Sequence, residues 1–309
     1  MFKTGVATLL AAAATAFAPG FAHADAFDTG MNTMWEVLWH QSGIPTRLVR
    51  WEQQELKVRV AGVNAAAHRQ HMLQALRDVG AEAGLRITDV SDLPAQPADV
   101  NIEIAPDTAL SENQPCETRL HFKTETRLDS VDMKLRDGDA RRCAYHESMH
   151  VMGVRGHPEG ATVLSYFTDH TEGLLPLDRA MLRAWYSPRT RGGMTPFEVL
   201  PILADQLVAI LPDKAQAQQS RDRYLARTVT EMQAFADGRG DVPMIVKRSG
   251  KSTAQGVQFG RMEMSYFLGI AYQKGATVAQ DPAQAALWMQ RAATMGSRPA
   301  QASLSGMQS

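Results

Sequence analysis

Residues 143–158 run CAYHESMHVMGVRGHP, and the reading of this stretch decides the fold. On a helix turning about 100° per residue, His146 and His150 stand about 40° apart, one turn above the other. Tyr145, Met149 and Met152 gather on a different side and supply an apolar stripe for a core. Asp139 is expected as the N-cap of this helix, and Gly153 as the residue that turns the chain out of its end. Two neutral imidazoles at i and i+4 can grip one metal ion, and zinc is the expected ion. Glu147 stands beside them, placed to take a proton from a water that the metal activates. The third ligand is expected at His157. Gly156, just before it, is expected to adopt an unusual backbone angle that brings the imidazole round. Asp169, His170 and Glu172 on the following loop are rivals for that place.

Upstream, LKVRVAG (56–62) alternates apolar and polar residues and is expected as a strand. Asn64 is expected to cap a helix running to Gly84, with Met72, Leu73, Leu76, Val79 and Ala83 on its apolar face. RITDV, DVNIEIA, TRLHFKT and SVDMKLR follow as short strands. A short amphipathic helix is expected from Met31 to His40. Downstream, Asp178 to Trp185 is expected as a helix. Thr195 and Pro196 open another over PFEVLPILADQLVAIL. SRDRYLARTVTEMQAFADG is a polar amphipathic helix, and GRGDVPMIVKRSGKSTAQG is a loop with room for one short strand.

The segment from His146 to Tyr186 resembles the metzincin proteases, most closely their matrixin-like branch, whose pattern is H-E-x-x-H-x-x-G-x-x-H followed by a methionine-containing turn. His146, Glu147, His150 and Gly153 match position for position. The family's third ligand falls at Gly156, and His157 comes one place late. TVLSYF matches the methionine turn, with Leu164 where the family has methionine. The resemblance implies a zinc peptidase whose base is Glu147. It implies for Tyr166 a contact with the metal or the developing oxyanion; a buried core tyrosine is the other reading of that residue. It implies Asp178 as a helix cap, and a peptide substrate laid along an edge strand lying between Thr118 and Arg136. The looser likeness extends over Thr46 to Ser187. The stretch from Trp51 through PRTRGGM (188–194) also resembles a family of exported bacterial proteins, a likeness that adds no known activity.

Near the C-terminus, MSYFLGIAYQKGATVAQDPAQAALWMQRAATMGSRPAQ resembles one Sel-like repeat, a relative of the tetratricopeptide repeat. Leu268, Gly269, Tyr272, Gly275, Val278, Asp281, Ala285, Trp288, Ala292, Ala293, Gly296 and Ala300 carry the match. One repeat buries its own face poorly, so it is expected to pack on preceding helices as a cap or to bind a protein partner.

The expected fold class is α+β. A zincin-like domain (46–213), a mixed sheet plus the active-site helix, is followed by an α-helical C-terminal region with a helix–turn–helix repeat (256–305). A helical linker (214–255) joins them, and a short N-terminal segment (25–45) precedes them. Residues 1–24 have the charged start, apolar run and Ala22-His23-Ala24 site of a signal peptide. The mature chain is then expected from about Asp25, periplasmic or secreted. The chain has 309 residues and a net charge of −1, which points neither to nucleic acid nor to an anionic membrane. No stretch after the leader is long and apolar enough to span a bilayer. The two cysteines, Cys116 and Cys143, invite a disulfide in an oxidising compartment; two buried thiols are the other reading. The functional expectation is an exported zinc metallopeptidase acting on peptide or protein substrates. A catalytically idle zincin fold serving as a binding or assembly protein of the cell envelope is the second reading.

Overall fold

The computed structural model describes residues 20–39, 47–166, 172–248 and 254–307. Most of the expected leader, together with His40, Asp169 and His170, lies outside them.

Five strands form one mixed sheet: β1 (Glu55–Gly62), β2 (Arg86–Asp89), β3 (Val100–Ala105), β4 (Cys116–Thr124) and β5 (Arg127–Arg136), in the order β2-β1-β3-β5-β4. β2, β1, β3 and β5 run parallel, and β4 returns antiparallel to β5 at the edge. Alternation explains the single apolar face. Leu56, Val58 and Val60 of β1 are buried, as are Val131, Met133 and Leu135 of β5, with more exposed residues between them. Helix α2 (Ala65–Ala83) packs on β1 and β2; α3 (Ala140–Val151), which carries the histidines, packs on β4 and β5; and the two helices touch. The five strands and the helix order follow the α+β expectation.

Two caps differ from expectation. Asn64 precedes α2 in a left-handed conformation (φ 49°) and caps nothing; its amide donates to Asp137 Oδ2 at 2.7 Å. Asp139 stands before α3 without accepting from its backbone, because its carboxylate is engaged by Arg136 at 3.3 Å and Arg142 at 3.4 Å. A long-range hydrogen bond has displaced the cap at Asn64, and local i,i+3 ion pairs have displaced it at Asp139.

The remaining elements are helical: α1 (Gly20–Glu36), α4 (Pro176–Trp185), α5 (Pro196–Ile210), α6 (Lys214–Ala236), α7 (Met244–Arg248), α8 (Ala254–Lys274), α9 (Pro282–Thr294) and α10 (Arg298–Met307). α1 starts earlier than the expected Met31 and ends at Glu36. Its described buried side chains begin at Phe27 and continue through Met31, Met34 and Trp35, packed on α5 and α6. PMIVKR forms the short helix α7 rather than a strand, with Ile245 and Val246 buried. α6 lies against α1, α5 and α8. α8 and α9 form a helical hairpin, with Asp281 capping α9 by accepting from Ala283 N and Gln284 N. The hairpin docks on α5: Lys274 Nζ meets Glu198 Oε1 at 2.8 Å, and Thr277 donates to the Phe197 carbonyl. One continuous cluster of buried side chains runs from the sheet through these helices. No helix among the described residues is long and apolar enough to cross a membrane.

Cys116 and Cys143 form a disulfide between the start of β4 and the first turns of α3. Closing a loop of 27 residues' separation stabilises the fold by about 3 kcal/mol in the chain-entropy model. Replacing both cysteines by serine is therefore expected to lower the unfolding free energy by roughly that amount, measured by urea titration of the double variant. A loss well under 1 kcal/mol would show that the strand and helix hold their places without the bond.

Candidate metal centre

The C-terminal end of α3 is closed by a local turn and by partners from two distant segments. A helix leaves its last four carbonyls without intrahelical partners. Here Gly153 N donates to His150 O at 2.9 Å and Val154 N to Met149 O at 3.4 Å, the paired bonds of a Schellman turn. Gly153 sits at φ 83°, as the turn requires, and a side chain there would meet the Val49 carbonyl. The Val151 carbonyl accepts from Trp51 Nε1 at 2.8 Å, and the Met152 carbonyl from Tyr186 Oη at 3.0 Å. Every carbonyl from Met149 to Met152 is thus satisfied, which fixes the height and rotation of the histidine-bearing turns. Tyr145, Met149 and Met152 are buried, as the helical pattern requires.

His146 donates from Nδ1 to the Val163 carbonyl at 2.8 Å, and His150 from Nδ1 to the Val154 carbonyl at 2.7 Å. A carbonyl can only accept, so these bonds set the tautomer: in the neutral rings the proton is on Nδ1 and the lone pair on Nε2. The two Nε2 atoms lie 3.2 Å apart, and His157 Nε2 lies 3.1 Å from His150 and 3.2 Å from His146. Lone pairs aimed at one another at this distance repel unless a cation is shared between them. Nitrogens bound at about 2.0–2.1 Å with tetrahedral angles are about 3.3 Å apart, so the triangle fits a three-histidine ligand set for one ion. His146, His150 and His157 are the one group of this kind among the described residues. Imidazoles accept zinc, copper, iron and nickel alike, so the triangle gives a metal site without naming its ion.

His157 reaches the triangle by a route different from the one its sequence implied. Gly156 does not adopt a left-handed angle. The chain there passes so close to Val37, in the turn that follows α1, that a Cβ on Gly156 would lie 2.5 Å from Val37 Cα. The Glu159 carbonyl, just beyond, accepts from Thr33 of α1 at 3.0 Å. The segment bearing His157 is therefore moulded against α1. Of the rivals, Glu172 is drawn away by an ion pair with Arg141 at 2.8 Å.

Asp178 holds the turn under His146. It is fully buried, and its carboxylate accepts from Thr162 Oγ1, from Val163 N and from Leu175 N, the last bond capping α4 from inside its first turn. The Val163 peptide thus takes a bond from His146 on one side and gives one to Asp178 on the other. Leu164, where the resembled family has methionine, is completely buried in the same turn. Tyr166 is 74% exposed, so it is not a core residue. Its ring lies flat on that of His157, centroids 4.5 Å apart and planes 14° apart.

Glu147 is 3% exposed, and its carboxylate accepts from Thr118 Oγ1 at 2.6 Å. Burial pushes its pKa up, opposed by His146 and the Thr118 bond. Thr118 was not marked by any motif. The disulfide does mark it: residues i and i+2 of a strand share a face, spaced about 6.6 Å, and residues i and i+4 of a helix are spaced about 6 Å. Cys116 to Cys143 and Thr118 to Glu147 are successive rungs of one strand-to-helix ladder. Glu147, Tyr166 and the three histidines line a single cavity of about 900 Å³, walled on the far side by β4 from Cys116 to Leu120. Arg155, also unmarked by the sequence, lines it too. The other histidines whose side chains are described are engaged elsewhere: His68 with Asp137, His121 with Asp132 and His71 with the Arg141 carbonyl. In comparisons with known proteins, no family model, no curated protein sequence and no solved structure matches this chain.

Proposed function

We propose that this chain is a zinc-dependent peptidase of metzincin-like design, exported from the cytoplasm, with its C-terminal helical hairpin acting as a Sel-like repeat that caps the fold. The observation that carries the proposal is the juxtaposition of three converging imidazole nitrogens with one buried, metal-adjacent carboxylate in an open cavity. A purely structural metal site needs no such base. His146, His150 and His157 would hold the ion, and bound zinc supplies Lewis acidity that acidifies a water and polarises a carbonyl oxygen.

The protein's own residues then do the rest. Glu147, a base of raised pKa in a shielded wall, accepts the proton of the attacking water and later returns it to the leaving amine. Thr118 aims the carboxylate by its hydrogen bond. Tyr166, whose phenol like any tyrosine's is protonated at neutral pH, donates to the developing oxyanion from the mouth of the cavity. The substrate lies along the outer edge of β4, adding a strand to the sheet. That edge falls on Cys116–Thr124; β5, which shared the expected range, is interior. The disulfide accords with an oxidising compartment. Cleavage after Ala24 would leave Phe27 and the later buried residues of α1 in the mature chain.

The deciding experiment is metal removal. The purified chain is expected to contain one equivalent of zinc per triad and to cleave an unstructured protein such as casein. Dialysis against a chelator should abolish the cleavage and zinc should restore it. Zinc-loaded protein that cleaves no peptide or protein would sink the peptidase reading.

A further inference from the structure

We propose that Arg155 is the receptor for a carboxylate of the substrate, so that this cavity selects peptides bearing an acidic side chain or a free C-terminus near the bond to be cut. The inference rests on the peptidase reading and adds a substrate class to it.

Arg155 lines the same cavity as His146, Glu147, His150 and His157 and is largely shielded from solvent. Among the described residues no carboxylate forms an ion pair with it, although its side chain is part of the cavity wall. Other shielded arginines are answered by carboxylates or, for Arg50, by the Trp185 and Thr190 carbonyls. Arg136 faces Asp139 at 3.3 Å, and Arg221 faces Asp205 at 2.7 Å. Withdrawing a guanidinium from water without a counter-charge is costly, and the cost is relieved by whatever anion enters. The acids already in the cavity do not supply it. Glu147 is engaged by Thr118, and Glu117 forms no ion pair with Arg155. Arg142, the other cation on the α3 wall, is already paired with Asp139.

The backbone around Arg155 is fixed on both sides. Val154 before it gives its carbonyl to His150, and Gly156 after it is pressed on Val37. The side chain therefore springs from a rigid base beside the metal ligands. Its planar fork matches a carboxylate through two parallel N–H···O bonds, which a lysine cannot reproduce. An acidic side chain and a C-terminal carboxylate offer the same chemistry, and the substrates chosen below tell them apart.

The test uses blocked heptapeptides that differ only in glutamate or glutamine at each position in turn, and a further pair that differ in a free or amidated C-terminus. The wild-type chain is expected to favour the anionic member of at least one pair by about tenfold or more in kcat/KM. In Arg155→Gln that ratio should fall to near one, and in Arg155→Lys it should fall part way. A wild type that cleaves both members of every pair equally would overturn the inference and leave the peptidase reading standing. If the wild type cleaves no peptide, the peptidase reading falls, and binding of the same fluorescent-labelled peptides decides the matter. Anionic peptides bound about tenfold tighter by wild type than by Arg155→Gln would uphold the receptor. Equal binding by the two proteins would overturn it.

Discussion

Replacing Glu147 by glutamine is expected to slow peptide hydrolysis by roughly 10²–10⁴-fold, the usual worth of a positioned general base, while the bound metal stays in place. Glutamine has the same shape and can still accept from Thr118, so the ladder between β4 and α3 survives. What it loses is the ability to take a proton. Glu147 is not a metal ligand: the group that can hold an ion is His146, His150 and His157. Because burial disfavours the ionised carboxylate, the neutral amide removes an unfavourable charge, and thermal stability should hold or rise. The measurements are kcat, zinc content and melting temperature on one preparation. A rate unchanged from wild type would remove Glu147 from the chemistry. A loss of zinc together with stability would make it a structural support instead.

Replacing His157 by alanine is expected to weaken zinc binding by at least about 100-fold, beyond the ten- to hundredfold that follows loss of an outer partner. The remaining pair, His146 and His150, is well oriented by the Val163 and Val154 carbonyls. Two imidazoles alone nevertheless fall short of the three or four protein ligands that zinc sites use. The fold itself should be little affected, because the backbone on either side of His157 is fixed by Gly156 against Val37 and by the Thr33 bond to the Glu159 carbonyl. Competition with a chromophoric chelator gives the affinity, and circular dichroism checks the fold. Full affinity in the variant would show that the third ligand comes from elsewhere, with Asp169 and His170 the first to try.

The parts of this architecture that sequence could reveal are those governed by short periods. Alternation located every strand within about three residues, and the i, i+4 spacing of His146 and His150 put both imidazoles on one side of α3. Gly153 signalled its turn because few other residues tolerate that backbone angle. What stayed hidden depends on contacts made across long stretches of chain. Asn64 looks like a cap until Asp137, 73 residues on, occupies its amide; Asp139 is a local exception, its carboxylate taken by Arg136 and Arg142 one turn to either side. Trp51 closes the end of α3 from a hundred residues away. The late position of His157 looked like a defect in a motif. In the structure Gly156 before it is packed against Val37, just after α1, a contact which no pattern within residues 143–158 could disclose. Thr118 was within reach of inference, two residues from a cysteine whose partner is one helical turn before Glu147.

Val37 and Thr33 press on both sides of the segment that delivers His157. Docking of α1 and capture of the metal are therefore two legs of one thermodynamic cycle. Whatever factor the seated helix lends to metal affinity, the bound metal lends back to the seating of the helix. An N-terminal helix far from the histidines in sequence would then act as an effector of the centre, and a bound metal ion as a clamp on that helix.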